Sequence, residues 1–130
     1  SLKEGEGEVR LVSSGIGTYP VSWPARTEQP NGKTSPEELI AGAHSTCFSM
    51  SVANELVLAG NSAPDSIDTK AEVTFQPGTG ITGSKLTVKA VVPEIDEETF
   101  QAAVAAAEKN CPVSRALTGT TITVEASLAE

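Results

Sequence analysis

Two cysteines and one histidine are the chain's whole supply of soft nucleophiles and soft metal ligands. Cys47 lies in the run Ser35-Pro-Glu-Glu-Leu-Ile-Ala-Gly-Ala-His-Ser-Thr-Cys-Phe-Ser-Met50, and Cys111 lies in Asn110-Cys-Pro-Val-Ser114. If the two thiols meet in the fold they form a redox pair, because a sulfenic acid on one condenses with the other to a disulfide. If they stay apart, they are inert core residues or a nucleophile with a bystander. Metal binding is not expected: Cys47, Cys111 and His44 offer three soft ligands at most, with no C-x-x-C or H-x-x-x-H spacing. No cofactor is expected either.

A nucleophilic thiol needs a lowered pKa, and so a cation or a helix N-terminus beside it. The chain has three arginines: Arg10 in a strand pattern, Arg26 in a loop after a strand, and Arg115 four residues past Cys111. Each reads first as a solvated surface charge. Glu37 reads first as a residue that the helix dipole favours in a first turn. Its alternative role is to hold an arginine guanidinium through a bidentate pair. Ten residues separate Glu37 from Cys47, about 2.8 turns, so a straight helix does not put them on one face. A bend at Gly42 would change that. His44 reads as a packed or surface histidine, with a general base as the alternative.

The elements that position these residues follow from periodicity. Val9 and Leu11 alternate, as do Tyr19, Val21 and Trp23, with Ser13 to Gly17 as a turn between them; this predicts a hairpin. Pro24 ends its second strand, and Thr27 to Thr34 is a polar loop. Ser35, Pro36 and Glu38 together predict a helix start with a capping box. The helix runs to Ala59, with Leu39, Ala43, Cys47, Met50, Ala53 and Val57 as its apolar stripe. Its many small residues predict close packing against another helix, in this chain or a second subunit. Strands follow at Lys70 to Phe75 and Ile81 to Val92, then a helix capped by Asp96 whose stripe is Phe100, Val104, Ala107 and Cys111. Pro112 breaks the ladder beside Cys111, which predicts an accessible sulfur. A last strand spans Thr120 to Leu128. The order ββ–α–ββ–α–β predicts a largely antiparallel α+β fold in which each long helix turns one cysteine inward.

At 130 residues the chain forms one domain. Its net charge of −8 argues against a nucleic-acid partner. No apolar run approaches the roughly 20 residues that span a bilayer, and nothing after Ser1 has a signal-peptide core. No membrane partner is expected, and a cytoplasmic location is.

The Ser35–Met50 run and the Asn110–Ser114 run, taken together, resemble the OsmC/Ohr family of thiol peroxidases, and the OsmC branch most closely. The likeness extends through Trp23-Pro-Ala-Arg26 and the Thr-rich last strand, so it covers residues 1–130 as one OsmC-like domain, although the family's usual opening strand has no counterpart. It implies an α+β fold with antiparallel sheets wrapped around two central helices in an intertwined homodimer, with two sites at the subunit interface. It implies Cys47 as the peroxidatic cysteine, Cys111 as the resolving cysteine, and Arg26 held by Glu37 as the activating cation. The implied reaction reduces organic hydroperoxides, and in some members hydrogen peroxide, with recycling by a dithiol such as a lipoylated protein. Leu39, Ile40, Phe48, Met50 and Phe100 are then candidates to line an organic substrate's pocket, against a plain core role for each. Two readings compete with this one: a redox-sensing binding module that does not turn over, and a structural disulfide in a secreted domain.

Overall fold

The computed structural model describes residues 1–129. Strands β1 (Glu6–Arg10) and β2 (Thr18–Ser22) pair antiparallel, with Arg10 opposite Thr18, as the alternation predicts. The second strand stops one residue short of Trp23. There Ser22 accepts a hydrogen bond from the Ala25 N–H at 3.2 Å and caps a short helix, α1 (Trp23–Thr27). Arg26 therefore sits on a helical turn and not in an open loop. A cap residue followed by a proline in the first turn is enough to start a helix.

Helix α2 (Pro36–Leu58) begins where expected, with Ser35 accepting from the Glu38 N–H at 3.2 Å. Only half of the capping box forms, because the Glu38 carboxylate takes the Thr34 hydroxyl instead. The expected stripe on α2 is the wrong one. The face turned into the fold carries Glu37, His44, Phe48, Val52 and Leu56. Leu39 (37%), Met50 (68%) and Val57 (53%) remain exposed. Small or apolar side chains line most of this helix, so periodicity fits more than one face; the large side chains Phe48 and Leu56 decide which face is buried.

Strands β3 (Ser66–Gln76) and β4 (Gly80–Val91) pair antiparallel, with Ala71 opposite Leu86. Helix α3 (Glu97–Asn110) starts at Asp96, which accepts the Thr99 N–H at 2.7 Å. A short helix α4 (Pro112–Ala116) follows, and β5 (Thr121–Leu128) then lies parallel to β4. That pairing departs from the antiparallel expectation. The helical crossover through α3 and α4 returns the chain in the same direction, as parallel neighbours require. The three strands order β3-β4-β5, apart from the β1-β2 sheet. One core joins Leu86, Val88 and Ala90 of β4, Phe48, Val52 and Leu56 of α2, and Phe100, Val104 and Ala107 of α3. Both phenylalanines offered as pocket residues, Phe48 and Phe100, belong to this core and are fully buried.

Candidate active site

Packing α2 against α3 brings the two cysteines together. Cys47 Sγ and Cys111 Sγ lie 3.3 Å apart, unbonded. Cys47 is half-buried, whereas Cys111 is fully buried. The accessibility expected from Pro112 is not seen: the proline sits in the first turn of α4, where a missing N–H costs nothing, and Cys111 takes the N-cap position without a side-chain capping hydrogen bond.

The two thiols are electrostatically unequal. Burial pushes the Cys47 thiol up; the Val113 N–H opposes this, the neighbouring Cys111 adds to the rise, and the Ser51 hydroxyl opposes it slightly. Burial acts on Cys111 in the same sense, but the Ser114 N–H and hydroxyl, Cys47 and the Val113 N–H together bring it below its ordinary value. Within one chain the thiolate favours Cys111, whereas the approach from solvent favours Cys47.

Arg26 and Glu37 meet as expected, though not as a two-pronged fork. Arg26 Nε–H is shared between Glu37 Oε1 at 3.0 Å and Oε2 at 3.1 Å. Glu37 is buried at the head of the inward face of α2. The guanidinium carbon lies 4.1 Å from the centroid of the Phe75 ring and 5.7 Å from that of Trp23. Those two rings pack edge to face at 6.1 Å. Reading the sequence missed Trp23 and Phe75. The spacing Trp23-x-x-Arg26 is a detectable signal once α1 is helical, whereas Phe75 arrives from a distant strand.

The ion pair and the cysteines are separate within the chain. Ten residues of helix between Glu37 and Cys47 correspond to about 15 Å along the axis. A cavity of about 470 Å³, lined by Leu2, Val9, Val21, Trp23, Leu39 and Arg26 among others, opens beside the guanidinium. A second, of about 310 Å³, lies between Arg26, Glu37, Ala41, Val73 and Phe75. Neither reaches Cys47. Of the remaining pocket candidates, Leu39 lines the larger cavity, and Met50 faces outward.

His44 is packed, not poised as a base on Cys47. It is fully buried, with Nδ1 2.7 Å from Ser84 Oγ and Nε2 2.7 Å from Ser114 Oγ. Its ring stands edge to face on Phe48. Burial holds its pKa below the usual imidazole value. The unfolded chain therefore binds a proton near pH 6.5 that the folded chain refuses, so stability is complete above that pH and falls as the pH drops through it. We expect the melting temperature to fall between pH 7.5 and 5.5, and to fall less in His44→Gln. Equal pH dependence in the two proteins would contradict this.

The family model described as OsmC-like protein matches residues 29–127. Peroxiredoxin OsmC of Escherichia coli (strain K12) is 40% identical over 119 residues, which span 89% of this chain and 82% of that protein. The chain belongs to the OsmC-like family. Peroxiredoxin OsmC of Shigella flexneri matches to the same extent. The OsmC-like fold extends to solved structures of lower identity. The organic hydroperoxide resistance protein OsmC of Legionella pneumophila superposes with a TM-score of 0.68 at 20% identity, covering 97% of this chain and 96% of that one. OhrB of Bacillus subtilis gives 0.64 at 20% identity, covering 96% of each chain. The α+β architecture expected of an OsmC-like chain is thus the one observed. No helix among the described residues is long and apolar enough to cross a membrane.

Proposed function

We propose that this OsmC-like chain is a thiol peroxidase that reduces organic hydroperoxides. A reachable Cys47 and a buried Cys111 with their sulfurs 3.3 Å apart carry the reading. Relatives named as a peroxiredoxin and as organic hydroperoxide resistance proteins support it. The Cys47 thiolate attacks the peroxide, breaks the O–O bond, and becomes a sulfenic acid as the alcohol leaves. Cys111 then condenses with the sulfenate, expels water and forms the Cys47–Cys111 disulfide. A dithiol such as a lipoylated protein reopens it by exchange in the cytoplasm.

Cys47 needs a cation to ionise, and within its own chain the Arg26–Glu37 pair lies about 15 Å away along the helix. We therefore place the working site between two chains, with Arg26 of one acting on Cys47 of the other. The exposed Leu39, Met50 and Val57 face of α2 is suited to the center of such a homodimer. The apolar cavity beside Arg26 would take the substrate's organic substituent. Each chain, residues 1–130, acts as one domain.

The test is consumption of cumene hydroperoxide with dihydrolipoamide as the electron donor, with thioredoxin as a rival donor. We expect steady multiple turnover. One stoichiometric oxidation that then stops would replace the peroxidase with a redox-sensing module.

A further inference from the structure

Glu37 holds Arg26 by one N–H alone, since both of its carboxylate oxygens accept from Nε. An arginine has five N–H donors, and the four on Nη1 and Nη2 make no hydrogen bond to Glu37. A single shared N–H fixes one edge of a guanidinium and leaves its plane free to tilt, unlike a two-pronged fork. What sets the plane is aromatic. The guanidinium carbon lies over the Phe75 ring, 4.1 Å from its centroid, well inside the roughly 6 Å reach of a cation–π contact. Trp23 is farther, at 5.7 Å, and belongs to the same short helix as Arg26, so it moves with the cation. It meets Phe75 edge to face and steadies that ring. Of the two rings, Phe75 comes from the body of the fold, near the end of β3. There the ladder slips: Thr74 faces Gly83 and Phe75 faces Ile81, so Thr82 is an extra residue on β4. A bulge of this kind increases the local twist and re-aims the side chains beside it. The Arg26 side chain is 28% exposed, so the contact is partly shielded from water, where cation–π attraction is stronger.

We propose that Phe75 is a positioning residue for Arg26: its ring face fixes the plane of the guanidinium, so that the Nη donors are presented to Cys47 of a second chain. This role rests on the pairing of Arg26 with the other chain's Cys47 in the proposed function, and goes beyond it by naming a second holder of the cation. The two holders do different things. Glu37 anchors the Nε edge and offsets the charge. Phe75 orients the group without taking an N–H, because a ring face attracts the cation through its quadrupole and leaves the edge donors available. A second carboxylate in that place would take those donors and cancel the charge that a thiolate needs nearby.

The test reads the ionisation of Cys47 without peroxide. A Cys111→Ser parent has one thiol, and iodoacetamide, which is neutral, alkylates it at a rate that follows the thiolate. In that parent, Arg26→Ala should slow alkylation at about pH 7 and move its midpoint to higher pH. Phe75→Leu, apolar but without a ring face, should move the profile the same way and slow the reaction about three- to tenfold. Phe75→Met, equally ringless, should do the same. Phe75→Tyr keeps the ring and should stay within about twofold of the parent. Added to Arg26→Ala, Phe75→Leu should have no further effect, because a residue that acts through the cation is silent once the cation is gone. Folded ringless variants with the parent's profile overturn the proposal, as does equal slowing with and without Arg26, or a Tyr variant as slow as Leu. An Arg26→Ala profile identical to the parent's is a different failure: it takes the cation away from Cys47, and Phe75's role goes with it. Peroxide turnover does not enter, so a protein inactive as a peroxidase that shows these shifts still supports the role of Phe75.

Discussion

Cys47→Ser should lower cumene hydroperoxide turnover by at least about 10³-fold, since removing a nucleophile leaves only binding and orientation behind. Cys111→Ser should fail differently. Its first oxidation proceeds, but the sulfenate on Cys47 has no partner 3.3 Å away and goes on to sulfinic acid, which thiols do not reduce. Mass spectrometry after a few equivalents of peroxide would show a gain of two oxygens on Cys47 in that variant and a disulfide in the wild type. Equal turnover by wild type and Cys47→Ser would end the peroxidase reading. Absence of sulfinic acid in Cys111→Ser would remove the resolving role. The electrostatics make this informative, because within one chain the thiolate favours Cys111 and only access favours Cys47.

The second large effect concerns Arg26. Arg26→Ala should cost about 10² to 10³ in turnover, the usual range for losing one group aimed at developing charge. Mixing decides where that arginine acts. Arg26→Ala and Cys47→Ser are each inactive as separate preparations. Unfolded and refolded together, they should recover about a quarter of wild-type activity, because half the dimers are mixed and each mixed dimer has one intact site. That recovery follows only if Arg26 serves its partner's cysteine. No recovery from a properly folded mixture would put Arg26 and Cys47 of one chain in the same site.

Some of this was legible in the sequence. The Phe100, Val104, Ala107 and Cys111 stripe is buried as spaced, because α3 has charged or polar residues on its other face and so one possible orientation. The α2 sequence does not single out its buried face, because Ala, Ser, Gly and Thr give a helix little preference for one side. The Arg26–Glu37 pair was anticipated from the family likeness, but its single shared N–H depends on how α1 leans on α2. His44 was readable only as a residue type. Its partners Ser84 and Ser114 are 40 and 70 residues distant, and such contacts exist only once the sheet and α4 are assembled.

The β1–β2 hairpin forms no ladder with the other three strands. It leads directly into α1, where Arg26 against Phe75 and Glu37, Trp23 against Phe75, and a lone bridge from Val21 to Thr34 fasten the N-terminal region to the body. Segments held by few contacts open locally at far lower free energy than the whole domain. The cation and the thiols therefore belong to parts of the molecule with different lifetimes. Heat or mild denaturant should silence the chain while its helices and central sheet remain folded, so inactivation and unfolding would proceed on separate clocks.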